Sequence, residues 1–165
     1  MKTKDKTKIL IPNATSPRNI GDQAILVGLI PLFKNKYKNA RIKIHSVDPN
    51  SYGKSGFLID HTLYSWSVLQ HNEKISIFIN LSKLILQYVF LRFGIRNIFL
   101  DKKLGNLIDD YEEADLIVFA GGGYLRSRKG ITQSLNLIMQ LSHFVFADLF
   151  SGKKIASKSY FLVAR

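Results

Sequence analysis

The sequence predicts an α/β fold: a Rossmann-like parallel sheet flanked by helices. Three observations lead there. Residues 116–120, Leu-Ile-Val-Phe-Ala, form a short apolar run of the kind found in strands buried on both faces. That run ends in Gly121, Gly122 and Gly123, which remove every Cβ at the strand's C-terminal end, the edge where open α/β sheets bind ligands. Residues 8–13 read as a first strand, and Asn19-Ile20-Gly21-Asp22-Gln23-Ala24 as a turn entering a helix.

Taken in order, residues 1–7 are a basic tail. The apolar run after them is broken by Pro12 and Asn13, too soon for a signal-peptide core, so a cytoplasmic location is expected. Asp22 is expected to cap the first helix, because its carboxylate can accept from free N–H groups of the first turn. Ala24, Ile25, Gly28, Leu29 and Leu32 fall at helical spacing and are expected to face the sheet. Residues 41–47 alternate polar and apolar side chains and predict a second strand. A loop follows at 48–53. Residues 54–72, which include Trp66, show no sustained period and receive no element.

Residues 75–93 are an apolar run whose only charges are Lys83 and Arg92. The run approaches the length of a membrane span, but those charges, with Ser76, Asn80, Ser82 and Gln87, favour a packed helix first, an interfacial membrane helix second and a true span last. Gly94 is expected to end it. Residues 100–111 predict a short amphipathic helix leading to the glycine-ended strand. Residues 131–150 predict another helix, with Leu135, Ile138, Met139 and Leu141 on its apolar face and Gly152 closing it. Residues 153–156 begin what reads as a further strand. The chain of 165 residues has no internal repeat or low-complexity linker and reads as one domain.

The composition narrows the chemistry. With no cysteine, disulfides and thiolate metal sites are excluded. The net charge of +12, from 24 Lys and Arg against 12 Asp and Glu, favours anionic partners. No nucleic-acid-binding signature accompanies that charge, so nucleic acid is not an expected partner. The dinucleotide fingerprint fails twice: the first turn offers only Gly21, and Arg126 stands where a third glycine would follow Gly121 and Gly123. Gly53-Lys54-Ser55 fails as a P-loop, because Asp48 occupies the required glycine position. No Gly-x-Ser-x-Gly elbow is present. The four histidines have no metal-ligand spacing, so no metal is expected, and His45 is expected to be a half-exposed structural residue. Arg126, Arg128 and Lys129 directly follow the glycines, and backbone N–H groups beside guanidinium groups suit an anion.

Two of these segments carry a resemblance. Asn19-Ile20-Gly21-Asp22-Gln23-Ala24-Ile25 and, later, Ala114-Asp115-Leu116-Ile117-Val118-Phe119-Ala120-Gly121-Gly122-Gly123-Tyr124-Leu125 resemble, in order and strand context, the polysaccharide pyruvyl transferase family over residues 8–155. The resemblance implies the N-terminal half of a GT-B-like enzyme with two Rossmann-like domains facing a cleft. It implies transfer of pyruvate from phosphoenolpyruvate, with no further cofactor, to a sugar of a cell-surface glycan carried on a lipid or nucleotide. It implies substrate-binding positions at Asn19, Gly21, Asp22, Gly121, Gly122, Gly123, Tyr124 and Arg126. The location expected is cytoplasmic, with membrane association at the inner face as the alternative.

Members of that family continue into a second domain bearing the catalytic histidine and much of the donor-binding charge. Here Gly152-Lys153-Lys154-Ile155 begins the connecting strand and the sequence given ends at Arg165. The expectation is therefore a truncated form that is inactive alone, or one completed by a missing second domain or a second copy. Two alternatives remain: a basic peripheral membrane-binding domain without catalysis, and half of another GT-B-like glycosyltransferase.

Overall fold

The structure, a computed structural model, describes residues 7–52, 57–63, 74–95, 102–120 and 131–151. In chain order they form β1 (Lys8–Ala14), α1 (Ile20–Lys36), β2 (Arg41–Ser46), a 3-10 turn (Pro49–Tyr52), β3 (Leu58–His61), α2 (Lys74–Arg92), α3 (Lys102–Glu113), β4 (Leu116–Ile117) and α4 (Ile131–Ser151). The four strands make one sheet in the order β3-β2-β1-β4, and every pairing is parallel. The Rossmann-like α/β class expected from sequence is what forms. A parallel sheet needs cover on both faces. One face packs Ile9, Ile11, Ile42, Ile44, Leu116 and Val118 against Leu26 and Ile30 of α1. The other packs Leu10 and Phe119 against α2, α3 and α4, around the fully buried Tyr111 and Phe146. Leu116, Val118 and Ala120 face α1 while Ile117 and Phe119 face the other side, the two-sided burial that the apolar run predicted.

The chain winds outward from β1 to β3 and then returns to the far side of β1 to place β4. The winding direction reverses between β1 and β4, and a crevice at such a reversal is where open α/β sheets hold ligands. Pro12 sits inside β1, where it lacks the N–H a ladder needs. The strand accommodates it with a bulge: Ile11 pairs with Ile44, but Ala14 pairs with Ser46, so β1 spends one extra residue.

Several expectations change at this level. β3 and the 3-10 turn form in segments that showed no strand or helix pattern. The sheet face of α1 is Leu26, Ile30 and Phe33, flanked by Ile25 and Leu29. Ala24, Gly28 and Leu32 are exposed instead, Leu32 by 64%. Apolar residues lie all round this helix, so spacing alone does not select its inner face. On α4, Ile138 and Leu141 are likewise exposed, and the buried side is His143, Phe146, Ala147 and Phe150. Gly94 does end α2, at φ +79°, with the Ile95 N–H donating to the Phe90 carbonyl and the Gly94 N–H to Leu91, a Schellman arrangement. No helix among the described residues is long and apolar enough to cross a membrane. Trp66, Lys54, Ser55, Gly53, Gly152 and the strand expected at 153–156 lie outside the described residues.

The alternation in β2 has an unexpected neighbour. Ile42 and Ile44 face α1, while Lys43 and His45 point to the face covered by α3. His45 is fully buried, not half-exposed, because Asp110 of α3 accepts from its Nε2 at 2.8 Å. The Lys43 ammonium bridges Asp110 and, at 3.5 Å, Asp60 of β3. Burial raises the Asp110 carboxyl, but the hydrogen bonds from His45 and Lys43 outweigh it and hold the group below its ordinary value. Beside it, the buried Tyr111 hydroxyl donates to His143 Nδ1. Burial drives His143 down to about 3, with the nearby His45 as the lesser cause.

A pH dependence follows from His143. Between about 6.5 and about 3 the unfolded chain carries a proton on this histidine that the native state refuses. Stability is therefore fully present above the unfolded value and falls as pH drops through that window, by up to ~1.4 kcal/mol per pH unit. Urea titrations at pH 7 and pH 5 are expected to differ by about 2 kcal/mol from this group. The double variant Tyr111→Phe/His143→Leu should lose that part of the slope. An unchanged slope in the double variant would remove His143 as its source.

Candidate functional site

The site is built where β1 and β4 end side by side. The bulge at Pro12 turns the Asn13 side chain toward β4. Its Nδ2 donates to the Ala120 carbonyl at 3.1 Å, and its Oδ1 accepts from the Ala120 N–H at 3.1 Å. An amide side chain thus replaces the ladder beyond the Val118 N–H to Leu10 carbonyl bond. The two partners are 107 residues apart in sequence, and both are buried. This clamp fixes the last residue before Gly121 against the end of β1.

From Ala14 the chain turns into α1 through a net of side-chain bonds. The Asp22 carboxylate accepts from the Thr15 hydroxyl and the Asn19 amide, each at 2.7 Å. Asp22 is therefore not the cap expected from sequence. The cap position is Asn19, whose carbonyl accepts the first helical N–H, that of Gln23, at 2.9 Å. Asp22 is the third helical residue, and its carboxylate is used to brace the turn from within. The Asn19 side chain makes no cap bond to the backbone, so the N–H groups of Ile20, Gly21 and Asp22 keep the partial positive charge of a helix start. A Cβ on Gly21 would meet only the Asn19 Oδ1, at 3.7 Å, an ordinary contact. Gly21 is thus not needed for packing; its lack of a side chain leaves the turn's backbone open to approach.

The β2 end joins the same edge. The Ser46 hydroxyl at 3.1 Å and the Tyr52 hydroxyl at 2.9 Å both donate to the Thr15 carbonyl. Asp48 accepts from the Ser16 and Ser51 hydroxyls, and those bonds hold its carboxyl below the ordinary range. Burial pushes the Tyr52 hydroxyl above its usual value, so it remains a donor. Two carboxylates at this edge are thereby committed to internal bonds. Beside α1, a groove of about 510 Å³ is lined by Leu26, Val27, Ile30, Pro31, Tyr52 and Phe57, with Lys34 over the Phe57 ring at 5.0 Å. Its lining is mainly apolar, which suits a hydrocarbon or ring face better than a phosphate.

Of the residues expected from sequence, Asn19, Gly21 and Asp22 come together in one turn at the C-terminal edge. Gly121, Gly122, Gly123, Tyr124 and Arg126, with Arg128 and Lys129, lie outside the described residues; the chain reaches them from Ala120 at that edge. Sequence reasoning missed Asn13, Thr15, Ser16 and Tyr52. Asn13 had one available signal, its place after a proline within a strand, where a bulge is the physical outcome. Among the described residues, no group of three or more His, Asp or Glu could hold a metal ion. No protein-family model, curated protein or solved structure matches this chain.

Proposed function

We propose that this chain forms the donor-facing wall of a polysaccharide pyruvyl transferase-like site, which holds phosphoenolpyruvate for transfer to a glycan at the inner face of the membrane. The observation that carries the reading is the clamp between Asn13 and Ala120. It brings the Asn19-Ile20-Gly21-Asp22 turn and the approach to Gly121-Gly122-Gly123 to one edge, at the reversal of strand order. Both are segments on which the family resemblance rests.

The chemistry asks for such an edge. The donor carries a phosphate and a carboxylate; two acceptor hydroxyl oxygens add to the enol carbon, one of their protons goes to the methylene carbon to make the methyl group, and the C–O bond to phosphate breaks so that phosphate leaves with the other proton. Backbone N–H groups at the start of α1 stabilise that charge without reorganising, and those of Gly121, Gly122 and Gly123 are proposed to join them. Arg126 supplies a cation, and the net charge of +12 steers the anion inward. Asp22 serves as a brace for the turn. In a GT-B-like arrangement the acid–base group comes from a facing domain or a second copy.

The test is a titration of the isotopically labelled chain with phosphoenolpyruvate, read on amide resonances. The expected result is saturable shifts clustered at residues 20–22 and 121–123, weakened several-fold in Asn13→Ala. Shifts spread over surface lysines, or reproduced in full by sulfate at equal ionic strength, would overturn the reading.

A further inference from the structure

Helix α2 is packed with its polarity inverted. Its inner side buries Asn80 and Gln87 beside Leu81, Leu84 and Leu91, and both polar atoms of the Gln87 amide lack a hydrogen-bond partner. Its outer side exposes Phe78, Ile79, Ile85, Leu86, Val89 and Phe93, with Phe78 exposed by 63% and Phe93 by 75%. At about 100° per residue these six positions fall within an arc of about 120°. Arg92 borders one side of that arc and Lys83 the other, both exposed. No acidic residue occurs in α2. Helix α4, which packs against α2, also exposes Ile138, Leu141 and Val145 at i, i+3 and i+7, followed on the same side by the exposed Asp148.

We propose that the outer face of α2 is an interfacial docking surface for an anionic lipid bilayer, with the helix lying in the membrane plane. An apolar face of this kind, interrupted within its arc by the exposed Ser82, whose hydroxyl donates to the Phe78 carbonyl, marks an interaction surface and not scattered surface residues. The charges choose the occupant. Cations along both borders of an apolar arc can lay their stems on hydrocarbon while their heads meet lipid phosphates. The net charge of +12 draws the domain to a negative leaflet. A second copy of the same face would instead oppose Lys83 and Arg92 to themselves, with no acidic residue of α2 to pair them. The helix, about 28 Å long, lies flat in this arrangement, in keeping with the absence of a membrane-crossing helix among the described residues.

The experiment is flotation of the full chain with vesicles of phosphatidylglycerol and phosphatidylcholine, against phosphatidylcholine alone. No donor or acceptor substrate is present, so the outcome is independent of the proposed transfer. Binding is expected to the anionic vesicles at low salt and to weaken as salt rises. Phe78→Gln/Ile85→Gln/Phe93→Gln should weaken it by at least about tenfold per side chain removed from the hydrocarbon. Lys83→Glu/Arg92→Glu should weaken it while leaving the apolar arc intact. Circular dichroism and melting of both variants should match the parent, since every changed side chain is exposed. Absence of vesicle binding at low salt would overturn the proposal. So would vesicle binding that survives the triple variant. Dimerisation in sedimentation equilibrium that the triple variant abolishes, without vesicle binding by the parent, would assign the face to a second copy.

Discussion

Replacing Asp110 by alanine is expected to destabilise the fold by about 3 kcal/mol, because it strands two cationic or polar partners in a largely buried place. Lys43 keeps only Asp60, at 3.5 Å, and the fully buried His45 loses its Nε2 acceptor while its Nδ1 already has no partner. A fully enclosed pair would lose more, but the side chains of Asp110 and Lys43 are 18% and 28% exposed, and water recovers part of the charge. The double variant Lys43→Met/Asp110→Leu should cost less than Asp110→Ala, since no half-buried Lys43 charge is left behind; His45 still lacks its acceptor, and the more exposed Asp60 loses its cation to water. Urea denaturation at pH 7 checks both. A loss under about 1 kcal/mol in the single variant would mean that this network contributes no more than a surface ion pair.

Asn13→Ala is the second large effect, expected at about 3 kcal/mol, from the two hydrogen bonds it removes and the Ala120 N–H and carbonyl it leaves buried and unpaired. Asn13→Asp should be comparably harmful, since an oxygen would then face the Ala120 carbonyl. The local consequence is more diagnostic than the global one. Hydrogen exchange at the Ala120 amide should accelerate on the scale of 100-fold in Asn13→Ala, because about 3 kcal/mol of local protection is lost. If the exchange rate stays unchanged, the clamp does not hold this edge, and the donor site proposed beside it loses its foundation.

These two effects come from residues whose roles differ in how far they can be read along the chain. The strands β1, β2 and β4 and the helices α1 to α4 follow from local pattern: apolar runs, alternation, helical spacing and the glycine after Phe93. Such signals act over a few residues, within one element, so the chain carries them whatever packs nearby. The Asn19-to-Asp22 turn was legible for the same reason, though the helix starts one residue after Asn19 and leaves Asp22 as a brace, not a cap.

The inner faces of the helices were not legible. α1 and α2 carry apolar residues on every side, and α2 buries two amides while exposing Phe78 and Phe93, so only the surface each helix meets decides its orientation. β3 escaped notice because Leu58-Ile59-Asp60-His61 has no alternation; its strand character comes from register with β2, Lys43 opposite Leu58 and His45 opposite Asp60. Local sequence thus determined most of the strands and helices and the turn from β1 into α1. Tertiary structure decided what Asp110 and Asn13 do, because their partners lie 65 and 107 residues away. A hydrogen bond between such distant groups has no local periodicity to announce it, and exists only once the sheet has brought both ends together.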